Sequence, residues 1–480
     1  MPANGSPAAT RPGTAPPSAP LPGARAALIL LLSINLFNYI DRQMLAAVVP
    51  KIRGELHAEL PASLQRFFGT NPENALIGLL AMAFMVTYMF AAPLFGWLAE
   101  RRPRWVLIGI GVIVWSLASG DSGLAETFGI LLMTRCLLGI GEAAYGPIAP
   151  DMISDLYPVK VRGSVLSWFY MAIPVGSALG YVIGGKIAET SLGWRGAFGL
   201  VVPPGILLGI LCFFMKEPRR GQADLAAAAP TTFADGEGKM SPGTEQRGGH
   251  AVPVTDSRRT RWADYWTVLK TPSYLLDTLG MTAMTFALGG IGFWMPAYIH
   301  EVRKAGELGN VNFIFGAIVV VAGLSATLLG GIAGDKLRDR FPGSYFLVSG
   351  AAMLVGFPLS IAMLYVPFPW AWIFIFLACF CLFFNTGPTN TILANVTHPA
   401  MRASGYALNI LIIHAFGDVI SPLVIGAITD ATGNMSIAFL VVSGMIFLGG
   451  LFWLWGARYL ERDTALSPTR LSSETNGANA

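Results

Sequence analysis

Twelve apolar stretches run through the 480-residue sequence, and each is long enough to cross a membrane as a single helix. The hydrocarbon core of a bilayer is about 30 Å thick, which corresponds to about 20 residues of helix. Charged residues make up only 12% of the chain, against about one quarter in soluble domains. The sequence therefore predicts an all-α integral multi-pass membrane protein with spans at residues 26–49, 75–99, 104–121, 126–155, 161–189, 195–215, 272–299, 310–333, 344–366, 369–396, 402–429 and 435–458.

Lysine and arginine are distributed unevenly between the two sides that these spans define. With a cytoplasmic N-terminus, 23 of the 32 basic residues lie in tails and inward loops, and 7 lie in outward loops. Cytoplasmic loops carry an excess of Lys and Arg, so we expect both termini in the cytoplasm. The net charge of +4 is then a topology signal, and we expect no nucleic-acid partner.

One polar segment divides the spans six to six. Its composition changes abruptly to Ala, Gly, Pro, Thr and charged residues, which is typical of a linker. Residues 259–270 within it are amphipathic enough for a short interfacial helix. We expect a disordered cytoplasmic tail at 1–24, a six-helix bundle at 25–215, a cytoplasmic linker at 216–270, a second six-helix bundle at 271–460 and a cytoplasmic tail at 461–480.

The two halves share loop patterns. "GWLAERRPR" (96–104) follows the second span and "GIAGDKLRDR" (331–340) follows the eighth, each with Gly, then an acid four residues on, then basic residues. "YPVKVRGSVLS" (157–167) and "THPAMRASGYA" (397–407) open the fifth and eleventh spans in a similar order. Attraction of basic residues to inward loops does not explain the Gly and acid spacing. The pattern indicates an internal duplication around a central substrate site.

Together these features resemble the major facilitator superfamily, over about residues 25–460. The resemblance implies a fold of twelve transmembrane helices in two pseudo-symmetric six-helix bundles. The first loop departs from the family pattern, because Glu100 stands in place of Asp and Pro103 in place of Gly. The resemblance implies a gating role for the charged residues of the paired loops: Glu100, Arg101, Arg104, Arg162, Asp335, Arg338 and Arg402.

Charged residues inside the spans are the strongest functional signal. Arg135 and Glu142 are seven residues apart, which places them on nearly the same face of the fourth span. Asp41 and Arg42 interrupt the first span, and Asp41 is predicted at a depth similar to that of Arg135. An unpaired charge near the bilayer centre costs at least about 2.5–3.5 kcal/mol, so each must face a partner or a watery cavity. We expect a network of these four residues.

Such a network can couple transport to protons. Desolvation and a nearby arginine shift a carboxyl pKa in opposite directions, so an arginine that moves to a substrate anion changes the balance. We predict proton coupling at Asp41 and Glu142, and substrate binding at Arg42 and Arg135. The alternative is a permanent salt bridge that locks two helices together.

Other motifs predict packing or substrate contact. The glycines of "GSALGYVIGG" leave one bare face on the fifth span, and we interpret Gly176, Gly180 and Gly184 as helix packing. His414 can be read either as a titrating group or as a hydrogen-bonded packing residue. Candidate substrate-binding residues outside the charged network are Tyr145, Trp294, Asn385 and Thr389.

Several functional classes lack support in the sequence. No Gly-rich phosphate loop ending in Gly-Lys-Ser/Thr occurs, so transport driven by ATP is not expected. An enzyme would need a nucleophile with a positioned base or a metal site. The sequence shows no specific signal for the first and no His or Cys pair with metal-ligand spacing for the second. We expect neither a cofactor nor a metal site.

Within the superfamily, "NLFNYIDRQMLAAVVPKI", "RCLLGIGEAAYGPIAPDMISDLYP" and "FWMPAYI" resemble the spinster-type transporters. This resemblance implies movement of a sphingolipid or lysophospholipid by a membrane-embedded monomer, with protons as the coupling ion. A proton-coupled symporter or exporter of a small organic anion or drug is the alternative, because that branch begins its first span similarly. A receptor or channel on this scaffold has no feature in its support.

Overall fold

The computed structural model describes residues 23–55, 72–220, 262–398 and 401–467. Most of the predicted N-terminal tail, most of the predicted linker and the end of the C-terminal tail lie outside the described residues. Within the described part, twelve helical segments are long and apolar enough to cross a membrane. The predicted number of spans is therefore confirmed.

The helices of the described residues are labelled in chain order. The seventh span continues from α9 into a π-helical segment, Tyr298–Val302, and a second one, His414–Asp418, interrupts the eleventh span between α14 and α15. The fourth span consists of α4 and α5, and the tenth of α12 and α13. The helices are α1 (Ala24–Glu55), α2 (Glu73–Ala99), α3 (Arg104–Gly123), α4 (Phe128–Ala143), α5 (Ile148–Leu156), α6 (Val159–Ala188), α7 (Gly193–Cys212), α8 (Trp262–Leu269), α9 (Pro272–Ala297), α10 (Leu308–Arg338), α11 (Ser344–Tyr365), α12 (Ala371–Phe383), α13 (Thr386–Val396), α14 (Arg402–Ile413), α15 (Ser421–Thr432), α16 (Met435–Gly456) and α17 (Leu460–Leu466).

The two halves pack their helices in the same pairs. In the first bundle α1 packs on α6, α3 on α7 and α2 on α4. In the second bundle α9 packs along the interrupted eleventh span, α11 on α16 and α10 on α12. Each pair in the second bundle repeats a pair in the first, six spans later. The predicted fold of two pseudo-symmetric six-helix bundles is confirmed.

Small residues set the closest approach within the first bundle. Helix α6 lies on α1 along Gly176, Gly180 and Gly184. A β carbon at Gly176 would lie 2.7 Å from the carbonyl oxygen of Leu36, which is too close for any side chain. The bare face therefore lets the two backbones touch, and this contact fixes the part of α1 that carries Asp41.

The bundles meet along α2 with α15, α6 with α10, and α1 with α9. We call the end of the molecule that holds Ala24 and Leu466 the tail end, and the opposite end, where α1 finishes at Glu55, the closed end. At the closed end Arg53 Nη1 lies 2.8 Å from Glu301 Oε2 of the other bundle. Asn312 of α10 donates a hydrogen bond of 3.1 Å to the carbonyl oxygen of Ala47 on α1. Cross-bundle bonds such as these join the two halves at that end.

Candidate functional site

A cavity of about 290 Å³ lies between the two bundles, near the middle of the first span. The first bundle contributes Tyr39, Arg42 and Arg135 to its wall, together with apolar residues of α2. The second bundle contributes apolar residues of α9 and the polar side chains of His414 and Asp418. The cavity is therefore polar on two opposite sides and apolar between them.

Arg42 is held on the cavity wall by one ion pair and three aromatic rings. Its Nε lies 2.7 Å from Oε2 of Glu142, whose side chain is fully buried. The guanidinium carbon lies 5.1 Å from the ring centroids of Tyr39 and Phe84 and 5.2 Å from that of Tyr88. The arginine side chain keeps 19% of its surface exposed. The cation is thus fixed in position while one side stays open to the cavity.

Asp41 and Arg135 bond to serine hydroxyls and form no direct hydrogen bond or ion pair with each other in the described structure. Ser119 donates a hydrogen bond of 2.5 Å to Oδ1 of Asp41, and Nη2 of Arg135 donates one of 2.5 Å to the hydroxyl of Ser122. The two serines are three residues apart on α3, so they lie on one face between the two charges. The four predicted charges therefore lie within electrostatic range of one another, but only Arg42 and Glu142 form a direct ion pair. Asp41 and Arg135 are hydrogen-bonded to serine hydroxyls instead.

Two polar atoms of these four residues are buried and have no hydrogen-bond partner in the described part of the chain. They are Oδ2 of Asp41 and Nε of Arg135. Glu142 interacts with the side chain of Asn38 in addition to Arg42. Buried polar groups are nearly always satisfied in a purely structural salt bridge, because each unmet bond costs about 1–3 kcal/mol. The arrangement thus has unused capacity for a proton or a ligand atom.

The second bundle places a histidine and an aspartate opposite this charged wall. Nδ1 of His414 lies 2.9 Å from Oδ1 and 3.0 Å from Oδ2 of Asp418, four residues later in the π-helical segment. The side chains are 35% and 27% exposed. Gly417, between them, leaves helical geometry with φ −106° and ψ −106°. The sequence left two interpretations of His414 open, and the structure shows that it is both hydrogen-bonded and open to the cavity.

Two predicted substrate-binding aromatics do not line the cavity. The hydroxyl of Tyr145 donates a hydrogen bond of 2.6 Å to the carbonyl oxygen of Leu31, and the side chain is buried. Trp294 is fully buried and donates from Nε1 to the carbonyl oxygen of Pro422 at 2.9 Å. Its neighbour Phe293 faces the cavity instead. In this conformation each polar group is used in helix packing, and the role of both residues in substrate binding stays a prediction.

The polar residues of the tenth span are also directed into the protein. Asn385 and Thr389 are fully buried. Nδ2 of Asn385 donates to the carbonyl oxygen of Cys381 at 2.8 Å, and the Thr389 hydroxyl donates to that of Asn385 at 2.8 Å. These bonds satisfy backbone carbonyls where α12 gives way to α13, and the role of the two residues in substrate binding stays a prediction.

Comparison with known proteins identifies the family. The family model described as Major Facilitator Superfamily matches residues 31–418. Protein spinster homolog 3 of Danio rerio is 32% identical over 94% of this chain and 88% of its own length. The chain belongs to the spinster branch of the major facilitator superfamily. It is therefore a transporter and not an enzyme.

Other relatives agree with this assignment. The sphingosine-1-phosphate transporter SPNS2 of Danio rerio is 31% identical to the chain, over 90% of this chain and 84% of its own. A solved bacterial homologue of the human lysosomal transporter spinster, described as inward-facing and unoccupied, superimposes with a TM-score of 0.71. The match covers 94% of this chain and 98% of that chain at 20% identity, which establishes a shared fold.

In this spinster-branch transporter, the predicted gating residues at the tail end make their described contacts within their own bundles. Glu100 and Arg101 are exposed and lie 3.7 Å apart. Asp335 accepts a hydrogen bond of 2.8 Å from Tyr345, and Nη1 of Arg338 donates to the same hydroxyl at 3.3 Å. Arg162 and Arg402 donate to nearby backbone carbonyl oxygens, those of Tyr157 and Ala394 respectively.

Arg104 differs from the other predicted gating residues because its side chain is almost fully buried. Nη1 lies 2.7 Å from Asp151 and 2.5 Å from Asp155, both on α5, and Nε lies 2.8 Å from Glu217. These carboxylates all belong to the first bundle and to the segment that leaves it. The arrangement ties α3, α5 and the start of the connecting segment together, which is a structural role in this conformation.

Sequence reasoning missed the aromatic residues around Arg42. Phe84 and Tyr88 lie on α2, one turn apart, and Tyr39 lies three residues before the arginine on α1. The i, i+4 spacing on α2 and the i, i+3 spacing on α1 are visible in the sequence. Without the helix packing, however, aromatic residues in an apolar span are indistinguishable from lipid-facing ones.

Proposed function

We propose that this transporter moves an amphipathic phospholipid of the lysophospholipid or sphingosine-phosphate type by alternating access, with proton coupling through Asp41. The observation that carries the proposal is the partly exposed Arg42 at the boundary of a cavity with apolar walls. An arginine recognises a phosphate, and an apolar wall accepts a hydrocarbon tail. The name of the related sphingosine-1-phosphate transporter SPNS2 supports the same substrate class.

Headgroup binding follows from the geometry of Arg42. The hydrogen bond to Glu142 uses Nε, so the N–H donors of the two Nη groups remain for a phosphate. A phosphate in the cavity would form a second anionic partner for the same guanidinium, in competition with Glu142. Substrate binding thus weakens the ion pair and changes the environment of the buried carboxylate.

Proton coupling involves the neighbouring carboxyl group. Asp41 has one oxygen bonded to Ser119 and one buried oxygen without a described partner. A proton on that oxygen would remove the negative charge near Arg135, which then becomes a second cation for the substrate phosphate. Protonation and phosphate binding therefore support each other in this scheme, and Glu142 serves as the second carboxyl group.

The orientation follows from the charge distribution. Because 23 of the 32 basic residues lie in tails and loops on the side of the tail end, we assign this end to the cytoplasm and the closed end to the outside. The cross-bundle bonds at the closed end then correspond to an inward-facing state. One chain contains both bundles and the whole cavity, which supports a monomer as the transporting unit.

Uptake into proteoliposomes tests this function. The wild-type protein and Asp41→Asn are reconstituted and given labelled lysophosphatidylcholine, sphingosine phosphate or a small organic anion, with and without an imposed pH gradient. We expect gradient-stimulated uptake of a lipid by the wild type, with loss of the stimulation in the variant. Uptake of the organic anion alone would contradict the lipid assignment, and equal gradient dependence of both proteins would contradict the role of Asp41.

A further inference from the structure

Two acidic residues stand at the C-terminal ends of their own helices. Asp430 lies in the last turn of α15, and Glu189 directly follows α6. The C-terminus of a helix carries a partial negative charge, so an acid there is unfavourable within its own helix. Both positions lie at the closed end, and each calls for a partner outside its own bundle.

Asp430 caps the start of α2 in the first bundle. Its Oδ1 accepts hydrogen bonds from the backbone nitrogen of Asn74 at 3.1 Å and from the Asn74 side chain at 2.6 Å. Its Oδ2 accepts a bond of 2.7 Å from the backbone nitrogen of Ala75. The first N–H groups of a helix have no partner within that helix. The N-cap residue of α2 itself, Pro72, provides no side-chain cap, so the cap comes from the opposite bundle.

Glu189 makes the corresponding contact in the other direction. Its Oε1 accepts a hydrogen bond of 2.6 Å from the backbone nitrogen of Gly309, in the first turn of α10. The N-cap residue of α10, Glu307, provides no side-chain cap. Lys186 donates a bond of 2.9 Å to Asn310 beside it. The ends of the fifth and eleventh spans therefore cap the starts of the eighth and second, as pseudo-symmetry requires.

We propose that Asp430 and Glu189 are positioning residues for transport, which hold the closed end shut by capping helices of the opposite bundle. This inference rests on the proposed alternating access. When the bundles separate at this end, both helix starts lose their caps together. These residues are distinct from the gating set predicted at the tail end.

The two caps differ in expected strength. Asp430 is partly buried and makes three bonds, and the neighbouring Gly426 lets α15 approach the backbone of Asn74 closely. Glu189 is exposed and makes one bond to the backbone of α10, so water competes with it. The Arg53–Glu301 pair, with side chains 20% and 27% exposed, is a separate cross-bundle contact that neither substitution at the caps removes. Asp430 should therefore dominate.

Cysteine accessibility tests the proposal without any substrate. Leu288, on the cavity wall, is changed to Cys in a background with the four native cysteines replaced by Ala, and a membrane-impermeant maleimide is applied from the closed-end side. We expect Asp430→Asn to raise the labelling rate about fivefold to tenfold, because the amide loses the negative charge and one of the two acceptor oxygens that Asp430 uses. Glu189→Gln loses only the charge and should raise the rate about twofold. Glu126→Gln, an exposed acid between α3 and α4, is the matched control and should change nothing.

Labelling from the tail-end side completes the test. If Asp430 holds the closed end shut, Asp430→Asn should slow labelling from the tail end while it speeds labelling from the other side. Equal rates from the closed-end side in Asp430→Asn and the control would overturn the proposal. So would faster labelling from both sides, because that indicates loosened folding. Since no lipid takes part, a failed uptake assay would leave this result unaffected.

Discussion

The two bundles share one helix arrangement but present different walls to the cavity. The first bundle places two carboxylates and two arginines on α1 and α4, supported by serines of α3. The second bundle offers one histidine–aspartate pair on a helix that is broken at Gly417. The duplicated frame therefore keeps the packing in both halves, while the cavity wall differs: the first half carries the Arg42–Glu142 ion pair and the second half a π-helical interruption at Gly417.

The largest effect should come from removing the cation of the first bundle. Arg42→Ala removes the charged donor proposed for the substrate phosphate, and a hydrogen bond to a charged group is worth about 1.5–3 kcal/mol. Because about 1.4 kcal/mol corresponds to tenfold, we expect uptake to fall about tenfold to 100-fold. Proteoliposome uptake measures this loss, and Arg42→Lys should recover only part of it, since Lys is a point charge. Wild-type uptake by Arg42→Ala would show that the charged wall of the first bundle is not required for transport.

Neutralising the carboxylate of the same pair should have a smaller and different effect. Glu142→Gln keeps a hydrogen-bond acceptor for Arg42 but removes the charge that competes with a substrate phosphate. We expect KM to fall and kcat to fall about tenfold, because tighter substrate binding slows release. Initial rates over a substrate series separate the two constants. An unchanged KM would show that Glu142 and the substrate do not share Arg42.

The polar pair of the second bundle should matter less. Asp418→Asn keeps one oxygen toward His414 but removes the charge that orients the imidazole. We expect uptake to fall about threefold to tenfold, since the group faces the cavity but lies opposite the charged wall. His414→Gln should give a similar reduction, and the double variant should be no worse than either one, as expected for one unit. Additive losses would show that the two residues act separately.

Packing within the first bundle gives the smallest expected change in transport. A β carbon at Gly180 would press on the carbonyl oxygen of Ile40, whereas one at Gly444 in the second bundle would meet nothing within 4 Å. Overpacking typically costs about 1–3 kcal/mol, so Gly180→Ala should lower the thermal unfolding midpoint by several degrees. Gly444→Ala is the matched control. Equal thermal unfolding midpoints for the two variants would show that the close approach of α6 to α1 at Gly180 does not contribute to stability.

The fold was predictable because the signal was long and repeated. A span of about 20 apolar residues permits one structure in a bilayer, a helix, so the number of spans could be read directly. The positions of the breaks could not. Gly417 is one glycine among many in the spans, and only the contact with Thr285 in the neighbouring helix shows that a side chain would not fit there.

The candidate site was predictable where charge was involved. A charged residue in an apolar span must find a partner, and this argument placed Glu142 with Arg42 as one of its possibilities. It did not predict that Ser119 and Ser122 bond to the charged residues, because a serine hydroxyl in a membrane span can be satisfied by a backbone carbonyl of its own helix. The position of uncharged residues such as Trp294 relative to the cavity could not be predicted for a related reason: burial and cavity exposure give the same sequence pattern.

The break at Gly417 has a mechanical consequence for the eleventh span. A continuous helix moves as one rigid body, whereas this span consists of two helices, α14 and α15, that meet at the break near Gly417. Asp430 holds α15 against α2, and His414 and Asp418 lie in the π-helical segment at the break. In the proposed alternating access, α14 would therefore turn at Gly417 while Asp430 on α15 continues to cap α2.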